Sequence, residues 1–212
     1  MIGRLSGLYV ITDSELCPGR THAEIARAAV EGGAALVQIR DKHASDREFL
    51  EAALEIRQIT EEAGVLFFVN DRLDVAAASG ADGVNIGQSD LPVEVARGLL
   101  GDEVIIGVSV DSVDQAKKAQ EDGADYVGFG PIFNTTTKPD SGPVSGLDAL
   151  RKVCHEVSIP VVAIGGISIA NIGSVAANGA ACAAVVSAVV CAEDMVKATS
   201  DLVREFRKFI GW

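Results

Sequence analysis

The chain has 212 residues, 48% of them hydrophobic and 23% charged, which is apolar material for one sizeable core in a length short of two ordinary domains. Thirty acidic against eighteen basic residues leave a net charge of -12, the wrong sign for binding nucleic acid through its phosphate backbone, so no nucleic-acid partner is expected. The first apolar run, Leu8 to Ile11, follows MIGRLSG, a stretch too short and too early for an export signal. Next comes a pattern that recurs four times, as EGGAALVQI, SGADGVNI, DGADYVGF and NGAACAAVV. In each copy a Gly suited to the left-handed end of a helix is followed at once by a β-rich run. Val65 to Val69, Val104 to Val108 and Val161 to Ile164 lie between the copies and bring the predicted strands to eight, the last near Ala183 to Val186.

The intervening segments read as helices. Thr21 with Glu24 and Ser45 with Glu48 have capping-box spacing, and Pro92 suits a first helical position. Phe49, Ala53, Ile56 and Ile59 share one helical face, as do Met195, Val196, Leu202, Val203, Phe206, Phe209 and Ile210 in the last segment. Eight apolar strands alternating with helices predict an α/β protein, a single (β/α)8 TIM barrel occupying residues 1–212 as one domain. The alternative, an open doubly wound sheet, lacks its Gly-rich fingerprint after Leu8 to Ile11.

Cysteines 17, 154, 182 and 191 form no CxxC and no metal spacing, so four free thiols in a reduced, cytoplasmic protein are expected. Val157 to Ala192 holds no charged residue. Its Pro, Asn and repeated Gly divide it into strand, helix and strand, so no membrane partner is expected.

In such a barrel the chemistry belongs to residues just after each strand. Those positions read QIRDK, NDR, NIGQSD, SVD, GPIFNTTTK, GGI and SA, whereas the opposite strand ends carry Gly, Ala and Asp turn signals. Gln38, Arg40 and Lys42 alternate with period two, so all three project to one side and suit a multiply charged anion; for Arg40 an ion pair with a neighbouring Asp is the competing account. Asp71 and Asp90 follow adjacent strands and offer hard oxygen ligands for Mg²⁺. Their plainer roles are an N-cap for Asp90 and a partner for Arg72 or Arg40 for Asp71. Thr135, Thr136, Thr137 and Lys138 form a hydroxyl-rich loop closed by a cation, and Gly165, Gly166 and Ser187 follow the last two strands, where barrels hold phosphate. Two anion sites are therefore expected. His22, His43 and His155 are not placed for catalysis.

The motifs LYVITD, VQIRDK, VNDR, IGQSD, GVS, GFGPIFNTTTK, VVAIGGI and VVSA, in that order at all eight strand ends, resemble those of the thiamine-phosphate synthase family. The resemblance implies an enzyme joining a pyrimidine methyl diphosphate to a thiazole ethyl monophosphate, with Mg²⁺ and release of pyrophosphate. It further implies that Gln38 binds the pyrimidine, that Arg40, Lys42 and Lys138 hold the diphosphate, and that Asn70 lines the same pocket. Ser109 would contact the pyrimidine diphosphate, and Lys138, Arg40 and Ser109 would act at the reacting centre. Asp71 and Asp90 would carry the metal, and Thr135, Thr136, Thr137, Gly166, Val186 and Ser187 would hold the thiazole phosphate. Asn85 and Asn134 depart from the His and Pro common in the family. Two alternatives stay open: a thiazole tautomerase, which has a catalytic His where Pro131 stands here, and a noncatalytic phosphate-binding barrel, which would need no metal carboxylates.

Overall fold

The computed structural model describes residues 5–137 and 142–209. Eight parallel strands, β1 (Gly7–Ile11), β2 (Leu36–Ile39), β3 (Leu66–Asn70), β4 (Gly83–Ile86), β5 (Ile105–Val110), β6 (Tyr126–Phe129), β7 (Val161–Ile164) and β8 (Cys182–Val185), pair in sequence order. β8 returns to β1 with Tyr9 opposite Ala184, which closes the barrel. Around it run α1 (His22–Glu31), α2 (Asp46–Ala63), α3 (Leu73–Ser79), α4 (Val93–Leu100), α5 (Val113–Glu121), α6 (Gly146–Glu156), α7 (Ile172–Ala177), α8 (Ser187–Val190) and α9 (Met195–Arg207). The (β/α)8 expectation holds. Among the described residues no helix is long and apolar enough to cross a membrane.

Local chemistry explains the element ends. Thr21 and Ser45 each form a full capping box with Glu24 and Glu48, which satisfies otherwise unpaired N–H groups at the starts of α1 and α2. The glycines of the four repeated patterns, Gly33, Gly80, Gly123 and Gly179, all have positive φ, so each turns the chain out of a helix where a side chain would strain it. In the first three copies the next residue, Ala34, Ala81 or Ala124, donates its N–H back to a carbonyl five residues earlier and then enters a strand. Pro92 caps α4 from just outside it and is not its first helical residue. Phe206 is fully buried on α9, whereas Phe209 lies beyond the helix and is 50% exposed; Ile210 lies outside the described residues.

Two apolar layers result from the alternation of strand side chains. One fills the space between strands and helices, and the other, built on Tyr9, Leu36, Leu66, Phe68, Ile105, Tyr126 and Val162, plugs the barrel. The plug needs glycine in the wall: a Cβ on Gly107 would come within 1.9 Å of the Tyr126 ring, and one on Gly83 within 2.7 Å of Phe68. At the lower end, Asp82 accepts from the Phe67 N–H and from Arg57 on α2, both at 2.9 Å. Asp125 repeats this two βα units further along, with the Ile106 N–H at 2.8 Å and Arg97 of α4 at 2.6 Å.

The expectation of four free thiols is corrected. Cys17, in the loop after β1, and Cys191, just after α8, form a disulfide. They are 174 residues apart, so no local spacing announces the bond; the closure of β8 on β1 brings them together. Arg20 spans the same seam through the carbonyls of Val190 and Ala192. Cys154 and Cys182 remain free, and burial pushes the Cys182 thiol up to about 12.

Candidate active site

The loops after the strands enclose a cavity of about 800 Å³ at the C-terminal end of the barrel. Gln38, Arg40, Lys42, Asn70, Asp71, Asp90 and Ser109 line one side, and Thr135, Thr137, Gly166, Val186 and Ser187 the other. Thr136 is exposed and does not line it, and Lys138 lies outside the described residues.

On the first side, charges are partly paired. Arg40 meets Asp13 at 3.3 Å, the arrangement held open for it by the sequence. Lys42 binds Asp71, not the Arg72 or Arg40 considered as partners for that carboxylate; Arg72 pairs with Asp46 and Asp74 instead. Asp71 has a φ of 60°, unusual for a residue with a side chain, and its side chain lines the cavity. Burial raises its pKa above the ordinary value, Lys42 opposes that, and the Asp90 carboxyl adds to it. Asp90 does not cap α4; its carboxylate accepts the Gly87 N–H at 2.6 Å and ties the turn after β4. The two acids therefore stand together at adjacent strand ends. Among the described residues no group of three or more His, Cys, Asp or Glu gathers around a metal position.

Asp41, between Arg40 and Lys42, turns away from the cavity. It accepts the N–H groups of His43 and Ala44 and lies 3.1 Å from Nε2 of His22, whose Nδ1 is 2.7 Å from Thr12 Oγ1. Burial opposes ionisation, yet these hydrogen bonds hold the carboxyl at about 2. His22 and His43 thus border a separate hollow of about 350 Å³ outside the mouth.

A hydrogen-bonded belt forms the cavity floor. Tyr9 Oη donates to Gln38 Oε1 at 2.5 Å, and Gln38 Nε2 donates to Asn70 Oδ1 at 3.2 Å. Tyr126 Oη donates to Asn85 Oδ1 at 3.0 Å, and Asn85 Nδ2 donates to Ser109 Oγ at 3.0 Å. Sequence reasoning missed Tyr9, Tyr126 and the part played by Asn85. The one signal available was Gly107 inside an apolar strand, which marks the bulky neighbour Tyr126; nothing local pointed to Tyr9 or Asn85.

On the second side the threonine loop and the turn after β7 touch closely. A Cβ on Gly165 would lie 2.6 Å from Pro131, and one on Gly166 would lie 2.4 Å from the Asn134 carbonyl, so both glycines are required by contact as well as by positive φ. Phe133 donates its N–H to the Gly165 carbonyl at 3.0 Å, and Asn171 holds the Gly166 carbonyl at 3.0 Å.

Residues 8–189 match the family model described as thiamine monophosphate synthase. The chain belongs to that family. It is 53% identical over 195 residues to the thiamine-phosphate synthase of Chloroflexus aurantiacus, covering 92% of this chain and 90% of the relative. It is 54% identical to that of Methanocella arvoryzae, covering 92% of each. The solved thiamine phosphate pyrophosphorylase of Pyrococcus furiosus superposes with a TM-score of 0.92 at 45% identity, over the full length of both chains. As a thiamine-phosphate synthase family member the chain is an enzyme of the transferase class, and the family resemblance drawn from its strand-end motifs is borne out.

Proposed function

We propose that the two sides of the cavity hold the two substrates of thiamine phosphate formation, with residues 1–212 acting as one catalytic domain. The observation that carries this is the meeting of both candidate anion sites in a single cavity of about 800 Å³. Gln38, Arg40, Lys42, Asn70 and Ser109 take the pyrimidine methyl diphosphate, joined by Lys138 on the strength of the family motif. Thr135, Thr137, Gly166, Val186 and Ser187 take the thiazole phosphate; Thr136, which the motif also names, is exposed and is not among the residues lining the cavity.

The thiazole nitrogen is a neutral nucleophile, so no general base is required, and the placement of His22 and His43 outside the cavity is no obstacle. The carbon–oxygen bond to the diphosphate breaks, the nitrogen–carbon bond forms, and pyrophosphate leaves. Arg40, Lys42 and Lys138 oppose the charge that grows on the departing group, and the cavity walls align nitrogen with methylene carbon. Asp71 and Asp90 fit a hard divalent cation: both offer only oxygen, and a positive charge between them would relieve the crowding that raises Asp71. Mg²⁺, if held by Asp71 and Asp90, would supply charge neutralisation to the leaving pyrophosphate. We place the enzyme in the cytoplasm on the ground of its phosphorylated small-molecule substrates, and not of its thiols, since Cys17 and Cys191 are joined.

The test mixes purified protein with both substrates and Mg²⁺. Thiamine phosphate and pyrophosphate should appear in equal amounts, and EDTA should stop the reaction. No product at saturating substrate defeats the reading, and undiminished turnover in EDTA removes the metal from it.

A further inference from the structure

Each tyrosine hydroxyl has one proton to donate. Tyr9 gives its proton to Gln38 and Tyr126 gives its proton to Asn85, so the 3.5 Å contact between the two hydroxyls holds none. Both tyrosines are 1% exposed, and burial, with a smaller contribution at Tyr9 from Tyr126, raises their pKa values, which keeps them protonated donors. The direction of every later bond then follows. With its oxygen facing Tyr9, the Gln38 amide must point its nitrogen at Asn70 Oδ1, so the Asn70 NH₂ is left over. With its oxygen facing Tyr126, the Asn85 amide must point its nitrogen at Ser109 Oγ, so the Ser109 proton is left over. Among the described residues, neither leftover group donates to another protein atom, and both Asn70 and Ser109 line the cavity.

We propose that Tyr9 and Tyr126 are positioning residues that set the polarity of the belt, so that the cavity floor presents hydrogen-bond donors at Asn70 and Ser109 and selects the acceptor-rich pyrimidine diphosphate. The inference rests on the assignment of that ligand to this side of the cavity. Without the Tyr126 hydroxyl the Asn85 amide is free to rotate, and the Ser109 hydroxyl can then turn inward to donate to Asn85 Oδ1. The cavity would exchange a donor for a lone pair facing diphosphate oxygen.

The test is a double-mutant cycle on pyrimidine diphosphate affinity, measured by calorimetry with Tyr126→Phe, Ser109→Ala and both together. Tyr126→Phe should weaken binding roughly tenfold, as expected for a hydrogen bond to a charged group, with thiazole phosphate affinity unchanged. Tyr126→Phe added to Ser109→Ala should cost almost nothing more. Equal losses from Tyr126→Phe in both backgrounds, or no loss in either, would overturn the proposal. A second cycle, Tyr9→Phe with Asn70→Ala, tests the other arm on the same terms and stands if Tyr126→Phe fails to fold. Wild-type protein that binds no pyrimidine diphosphate would defeat the functional reading and this one with it, whereas wild-type binding with additive losses defeats this one alone.

Discussion

At the lower end of the barrel Asp82 and Asp125 each hold a strand N–H and a helix arginine through one carboxylate oxygen, Oδ2. At the upper end Asp71 and Asp90 crowd each other, and Asp71 sits at a strained backbone position. The same residue type thus serves two ends differently: below, each carboxylate has an arginine of its own, and above, two neighbouring carboxylates have one paired lysine, Lys42, between them. A carboxylate with all its partners in place stabilises the fold; a crowded pair facing a cavity is suited to bind something.

The sharpest way to break this contrast is to neutralise the upper pair. Asp71→Asn and Asp90→Asn should each lower kcat/KM by about a hundredfold or more if they carry Mg²⁺. Melting should stay within roughly 3 °C of wild type, since Asn tolerates the positive φ of Asp71 better than other residues with side chains. Pyrophosphate release and thermal melts check the two halves, and near-normal turnover in both variants would end the metal assignment.

Asp125→Ala should show the opposite signature. It strands the Ile106 N–H and weakens the hold of Arg97, for a loss of about 2–4 kcal/mol in urea denaturation with kcat of the folded enzyme unchanged. Loss of activity without loss of stability would contradict the division of labour between the ends.

Asp41 sharpens the comparison because it is an upper-end acid that is bonded like a lower-end one. Its carboxyl is lowered from an ordinary value near 3.8 to about 2 in the folded protein. The stability it contributes is therefore present above the ordinary value and is lost as pH falls through about 2, on the order of 2 kcal/mol in all. Asp41→Asn should flatten that acid limb in pH-dependent denaturation, and an unaltered limb would mean the lowered pKa contributes nothing to stability.

The smallest expected effect lies across the cavity. Thr137→Val keeps shape and removes a hydroxyl, so thiazole phosphate should bind roughly three- to tenfold more weakly, with less change for the pyrimidine diphosphate. Equal losses for both ligands in calorimetry would mean that the two sides are wrongly divided.

What the sequence makes legible is whatever is written locally. The four Gly-containing repeats, the Thr21 and Ser45 capping boxes and the apolar runs each lie within about ten residues, and together they determine the barrel. Barrel topology then converts strand-end position into cavity position, which is why Gln38, Asp71, Asp90 and Ser109 could be named from the sequence. Partnerships between strands are not local. Arg40 with Asp13, Lys42 with Asp71, and Tyr126 with Asn85 join residues 27 to 41 positions apart, and many carboxylates and amides would have satisfied the same patterns. The sequence neighbours of Asp90 also suit an N-cap, its plainer alternative, but the turn after β4 draws its carboxylate to Gly87 instead.

The bond between Cys17 and Cys191 makes most of the polypeptide a covalent ring whose seam lies where β8 meets β1. The ring runs from Cys17 to Cys191, so it holds seven of the eight strands, β2 to β8, while β1 and α9 stay outside it. A protease that cut one loop anywhere between those cysteines would release no fragment: the cut molecule would gain only the water of hydrolysis, and only a reducing agent would part it in two. The sheet is circular through its hydrogen bonds, and the disulfide extends that circularity to the chain.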